Sequence, residues 1–84
     1  MSTGRILPLK MLILQILKRQ QILRDDELLE YLNKYMGEVS ASEFNRALMQ
    51  LEIQGLIHVS PLKKNIRKIE LLGPGKEFMG AEED

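Results

Sequence analysis

The sequence has 84 residues, with 12 basic side chains, 12 acidic side chains and no cysteine. A chain of this length makes at most one domain and buries only about 60% of its unfolded surface, so a partner subunit would add useful stability. The 44% of hydrophobic and 29% of charged residues exclude wholesale disorder. The absence of cysteine excludes a disulfide framework and a thiolate metal site. No apolar run approaches the roughly 20 residues that span a bilayer, so we expect a cytoplasmic protein without a membrane or export segment.

The net charge of zero conceals an uneven distribution. Glu82, Glu83 and Asp84 end the sequence, which leaves residues 1–79 with 12 basic and 9 acidic side chains. We expect residues 1–79 to form the folded domain and residues 80–84 to form an acidic, disordered tail. The basic excess is compatible with nucleic-acid binding but does not require it.

The first predicted helix covers about residues 7–19 and has Pro8 in its first turn, where proline is tolerated. Its apolar residues form two stripes, and so small a domain cannot easily bury both. We expect the second stripe to be a homodimer interface, unless Phe78 and Met79 fold back to cover it. That stripe consists of Leu7, Met11 and Leu14.

The second predicted helix follows a polar joint at Gln20 and Gln21. Asp25 or Asp26 is suited to cap its amino end, and Gly37 is suited to end it. The expected buried positions are Leu28, Leu29, Leu32 and either Tyr35 or Met36.

The third predicted helix begins at about Ala41, because Ser40 and Glu43 have the spacing of a capping box. Gly55 supplies the left-handed residue that ends it. One face carries Phe44, Ala47, Leu48 and Leu51. The opposite side must therefore present the candidate contact residues, which are Ser42, Glu43, Asn45, Arg46, Met49, Gln50 and Ile53.

A β-hairpin is predicted after the third helix, because the apolar period changes to two from Leu56. We expect the first strand to stop at Pro61 and the second to begin at about Ile66. In the second strand Ile69 and Leu71 point one way, and Lys68 and Glu70 point the other. The hairpin has a basic tip, with cations at Lys63, Lys64, Arg67 and Lys68.

This order of elements resembles the winged helix-turn-helix superfamily over nearly the whole chain. The stretch Ser42–Val59 is similar to the recognition helix of that family and the first strand of its wing, and Ile69–Phe78 is loosely similar to the second wing strand of MarR- and PadR-like regulators. The fold that the resemblance implies is α+β, with three helices followed by a two-stranded wing. The function that it implies is that of a small DNA-binding transcriptional regulator.

The resemblance also implies a third helix in the DNA major groove and a wing on the phosphate backbone. Arg46 is then suited to guanine, Asn45 or Gln50 to adenine, and Ser42 to a phosphate. With the wing, the expected residues in contact with double-stranded DNA are Ser42, Asn45, Arg46, Gln50, Lys63, Lys64, Asn65, Arg67 and Lys68.

A protein-assembly module is the main alternative. Glu43 and Glu52 would repel phosphate, while Met49 and Ile53 place apolar side chains where a groove-binding helix usually carries polar ones. An enzyme is not expected, because the sequence shows no nucleophile with a base and no phosphate-binding glycine loop. His58 has no cysteine beside it, so we expect no metal site. No ligand pocket is evident in the sequence, and we expect no cofactor and no small-molecule ligand.

Overall fold

The computed structural model describes residues 8–73. The predictions made for Leu7, for Phe78 and Met79 and for the acidic tail lie outside the described residues. The described part contains three helices and three strands, which in chain order are α1 (Leu9–Gln20), β1 (Ile22–Arg24), α2 (Asp25–Met36), α3 (Ala41–Ile53), β2 (Ile57–Lys63) and β3 (Ile66–Leu71). None of these helices is long and apolar enough to cross a membrane.

The amino ends of α1 and α2 differ from the predictions. Pro8 is the residue before α1, which therefore starts two positions later than expected. Neither Asp25 nor Asp26 caps α2, because the chain leaves β1 at Arg24 and enters the helix directly. The Arg24 backbone amide instead donates to Glu27 Oε1 over 3.1 Å. The acidic residues occupy the first turn of α2, where their charge is favourable to the helix dipole.

The carboxyl end of α2 and the amino end of α3 agree with the sequence. Gly37 follows α2 with φ of 82° and ψ of −167°, a backbone region that is essentially restricted to glycine. Ser40 Oγ accepts from the Glu43 amide over 3.1 Å, and Glu43 Oε1 accepts from the Ser40 amide over 3.3 Å. The predicted capping box is therefore confirmed.

The sheet has three antiparallel strands in the order β1-β3-β2. The third strand, β1, was not predicted; its Leu23 pairs with Ile69 of β3 and is buried. The prediction that Pro61 ends the first hairpin strand is wrong, because β2 continues to Lys63 with a register shift between these two residues. Proline is compatible with this position because β2 lies at the edge of the sheet, where its missing N–H breaks no strand pairing.

The core lies between the inner face of the sheet and the three helices. The predicted buried face of α3 is confirmed, as are Leu28 and Leu32 of α2. Leu29 and Met36 are only partly buried, and Tyr35 is 63% exposed. The side chains that are most completely buried are Ile13, Leu17, Leu28, Leu32, Leu48, Leu51, Ile57, Ile69 and Leu71.

Candidate nucleic-acid interface

The outward side of α3 is exposed to solvent along its length. With 100° between successive residues, a central row is flanked on either side by polar positions. Gln50 and Glu43 lie on one flank, and Asn45 and Glu52 lie on the other. The central row consists of Ser42, Arg46, Met49 and Ile53. Its first half is polar and its second half is apolar, since Met49 is 59% and Ile53 is 77% exposed.

One flank of α3 faces the amino end of α1. Lys10 lines a shallow depression of about 220 Å³ together with Arg46 and Gln50. Lys10 was not among the predicted contact residues, because nothing in the local pattern links a lysine of the first helix to Arg46, 36 positions later. The fold adds this cation to the edge of the exposed α3 face.

The other flank of α3 faces the hairpin of β2 and β3, which we call the wing. Arg67 Nη2 donates to Asn45 Oδ1 over 2.8 Å, and Arg67 Nε donates to Asp25 Oδ2 over 2.9 Å. The Arg67 side chain is 39% exposed and that of Asp25 is 13% exposed. Arg67 therefore joins β3 to the amino-terminal parts of α2, through Asp25, and of α3, through Asn45. The sequence contains a signal for this contact. Arg67 and Ile69 are two residues apart in β3, so the alternation of side chains along a strand places both on the inward face of the sheet.

The two acidic residues of α3 are both engaged in hydrogen bonds within the chain. Glu43 is held by the capping box with Ser40, and Glu52 Oε2 accepts from the backbone amide of Val59 over 3.3 Å. Both lie on the flanks of the helix, so the only charged side chain in the central row is Arg46. The repulsion expected between these carboxylates and phosphate is thereby reduced at the centre of the face.

The wing carries three lysines that are free of ion pairs with described residues. No carboxylate of residues 8–73 lies within 4.0 Å of the ammonium group of Lys63, Lys64 or Lys68. Lys63 and Lys64 are exposed at the tip, where Asn65 adopts the left-handed conformation with φ of 65°. Asn65 thus has a structural role in the turn, and the wing presents three lysines, two at its tip and Lys68 on the central strand β3.

Arg24 of β1 lies opposite Lys68 of β3 but differs from it in charge environment. Arg24 Nε donates to Asp26 Oδ1 over 3.0 Å, and Nη2 lies 3.7 Å from Glu27 Oε2. The hydrogen bond to Asp26, together with the charges of these carboxylates, raises the pKa of Arg24 above its ordinary value. Arg24 therefore stays protonated with its charge balanced by Asp26 and Glu27, unlike the wing lysines.

The expected dimer stripe on α1 is only partly accessible in the chain. Leu14 belongs to the core at 4% exposure, and Met11 is half-buried. Met11 borders an apolar groove of about 290 Å³ between α1 and the region following α3. The groove is lined by Pro8, Lys10, Met11, Leu14, Leu51, Gln54 and Leu56.

Comparison with known proteins relates this fold to solved structures of RosR. No protein-family model matches the sequence, and no curated protein matches it either. The complex structure of hsRosR-S1 is 24% identical, covers 96% of this chain and 73% of that one, and has a TM-score of 0.79. The hsRosR-S4 complex is 25% identical with the same coverage and a TM-score of 0.74. RosR of H. salinarum is 20% identical, covers 94% and 73% of the two chains, and has a TM-score of 0.77.

These similarities show an α+β winged-helix fold. In this fold α2 and α3 are the helix-turn-helix pair and the β2–β3 hairpin is the wing. The finer resemblance to MarR- and PadR-like regulators is not confirmed by the solved structures.

Proposed function

We propose that this chain binds double-stranded DNA as a transcriptional regulator and has no catalytic activity. In this proposal α3 lies in the major groove and the wing lysines contact the phosphate backbone. RosR, which is structurally similar, is a haloarchaeal winged-helix transcription regulator, and this supports a regulator at the level of the fold.

The observation that carries the proposal is the contact between Arg67 and Asn45. This 2.8 Å hydrogen bond holds the wing strand β3 against the exposed face of α3. A single ligand surface can therefore contact Arg46 on the helix and Lys63 or Lys64 at the wing tip. B-DNA suits such a surface because its major groove admits a helix and its phosphates attract the flanking cations.

The chemistry of the α3 face matches base contacts at its polar end. Arg46 presents a fork of donors that fits the O6 and N7 acceptors of guanine. Ser42 is one turn nearer the amino end of the helix, where a hydroxyl and backbone N–H groups favour a phosphate. Gln50 lines the same depression as Arg46 and Lys10 and is suited to adenine or to a phosphate on that side.

The charge of the wing predicts how binding depends on salt. Each neutralised phosphate contributes about −0.9 to the slope of log affinity against log salt concentration. Three phosphate contacts from Lys63, Lys64 and Lys68 therefore give a slope of about −2.7. Arg67 is left out of this sum because its charge is already paired with Asp25.

The test is fluorescence anisotropy with random-sequence duplex DNA over a salt series. We expect micromolar binding, and replacement of Lys63 and Lys64 by alanine should reduce the slope by about 2. Lys34→Ala is the matched control, because Lys34 is an exposed cation near the end of α2, in a depression bordered by Tyr31 and Glu30. Absence of binding at low salt would contradict the proposal. So would an equal change of the salt slope in Lys34→Ala and in the variant without Lys63 and Lys64.

We also propose that the regulator acts as a homodimer through the α1 side of the domain. A single domain contacts few phosphates, whereas a two-fold dimer presents two α3 helices and gains affinity by binding two half-sites. Met11 and the adjoining groove are the accessible part of the expected interface, and Leu7 lies outside the described residues. A mass in solution of one chain, unchanged by Met11→Glu, would exclude this arrangement.

A protein-assembly module is the second candidate, favoured by the exposure of Met49 and Ile53. Neighbouring apolar side chains on a helix face are typical of protein contacts as well as of contacts with thymine methyl groups. Ile53→Asp distinguishes the two candidates. Loss of a defined protein complex, with negligible DNA affinity in the unmodified chain, would favour assembly over DNA binding.

A further inference from the structure

Arg67 determines which atoms of Asn45 are available to a ligand. A guanidinium offers hydrogen-bond donors only, so the atom of Asn45 that faces Arg67 must be the amide oxygen. The 2.8 Å bond to Oδ1 therefore fixes the orientation of the whole planar amide. The Nδ2 group, which donates two hydrogen bonds, is left on the side away from Arg67.

The orientation of Arg67 is itself fixed by Asp25. The Nε–H group donates to Asp25 Oδ2 over 2.9 Å, and the Asp25 side chain is only 13% exposed. A partly buried carboxylate requires a partner, because leaving it unpaired costs desolvation energy. The same guanidinium plane reaches Asn45 through Nη2, so Asp25 and Asn45 are linked by one rigid fork.

We propose that Arg67 is a positioning residue that makes Asn45 select guanine at its contact position. This inference rests on the proposed function. An asparagine with a free amide pairs with adenine by donating to N7 and accepting from N6, which requires its oxygen. In this chain Arg67 occupies one of the two acceptor positions of the oxygen, and its positive guanidinium disfavours the approach of a second donor such as adenine N6. The free Nδ2 donor matches the two acceptors, O6 and N7, on the guanine edge.

This role separates Arg67 from the lysines that surround it in sequence. Lys68 projects from the opposite face of β3 and has no carboxylate of residues 8–73 within ion-pair distance. Lys68 can therefore neutralise a phosphate, while the charge of Arg67 is balanced within the domain. Of these two adjacent residues, Lys68 therefore contributes to affinity and Arg67 to base selection.

The test uses selection from a randomised duplex library with the unmodified chain and its variants. Asn45→Ala identifies the position at which preference depends on Asn45. The unmodified chain should prefer guanine there, and Arg67→Lys should shift the preference toward adenine by on the order of tenfold, as expected for a bidentate base contact. Arg67→Lys keeps a cation beside Asp25 and preserves folding, but a single ammonium group cannot hold both partners in the same way. Lys68→Met is the control, and should weaken binding to all sequences alike.

A second measurement tests the contact in the free protein. In NMR spectra the side-chain Nδ2 resonances of Asn45 should shift in Arg67→Lys and stay in place in Lys68→Met. Unchanged resonances, an adenine preference in the unmodified chain, or the same base preference with and without Arg67 would each overturn the inference. If the resonances shift but no duplex binds, the proposed function fails, and base selection fails with it.

Discussion

The Glu52 carboxylate accepts a hydrogen bond from the backbone amide of Val59 over 3.3 Å, which ties the last turn of α3 to the edge strand β2. Along an antiparallel strand, every second amide points away from the partner strand. The next amide position on this outer edge is that of Pro61, which has no N–H to offer. Glu52 and Pro61 therefore leave little of this edge available for pairing with another chain.

The hydrogen bond from Val59 predicts different effects of two substitutions at Glu52. Glu52→Ala removes the acceptor and should lower the free energy of unfolding by about 0.5–1.5 kcal/mol. Glu52→Gln keeps a carbonyl oxygen at the same reach and should lose less than half of that. Urea denaturation of both variants measures the difference. Equal losses would mean that the charge, and not the hydrogen bond, stabilises the fold.

Gly37 makes the turn between α2 and α3 sensitive to any side chain. Its φ of 82° and ψ of −167° lie outside the left-handed helical region that asparagine tolerates. Gly37→Ala and Gly37→Asn should each destabilise the domain by about 1–3 kcal/mol, although within residues 8–73 no atom beyond its chain neighbours lies within 4 Å of an added Cβ. Gly73→Ala is the control, since Gly73 also has open space but no positive φ. Thermal unfolding distinguishes them, and rescue by asparagine would contradict the argument.

Ser40 and Ser42 are two residues apart and should respond differently to the same change. Ser40→Ala removes the Oγ acceptor of the Glu43 amide and should cost about 1 kcal/mol. Ser42 lies on the exposed face of α3, within the helix. Ser42→Ala should therefore be neutral or slightly stabilising, because alanine is the better helix former. Denaturation midpoints of the two variants test this. A larger loss at Ser42 would show that the cap is elsewhere.

Arg46 should determine base preference more strongly than any wing lysine. If its fork pairs with guanine, Arg46→Ala should cost about 1–3 kcal/mol on the preferred site and relax selection at one base pair. Binding to random DNA should weaken much less. Competition titrations with single-base variants of the selected site measure both quantities. Uniform weakening on every sequence would reassign Arg46 to a phosphate.

The helices and the hairpin were predictable because their signals are local. The apolar spacing from Phe44 to Leu51 places one face of α3 in the core, and the Ser40 to Glu43 spacing marks where the helix starts. The exposed side of α3 follows from the same periodicity, so the exposure of its candidate contact residues was foreseeable. Their contact with DNA stays a prediction.

The features that were not predicted depend on distant partners. The strand β1 has three residues, too few for an alternating pattern, and exists because Leu23 pairs with a residue 46 positions later in the chain. The bond between Arg67 and Asp25 spans 42 positions. A cluster of cations in the sequence therefore suggested four equivalent DNA contacts, while the fold distinguishes the inward-facing Arg67 from the three lysines.

The strand order β1-β3-β2 has a consequence for how the domain forms during synthesis. The central strand, β3, is the last of the three to leave the ribosome, so neither edge strand has its partner until residues 66–71 have emerged. Because a chain emerges amino end first, the three helices can collapse before any sheet exists. Leu23 and Ile57 gain their neighbours in β3 last, because the central strand must come between the two edge strands.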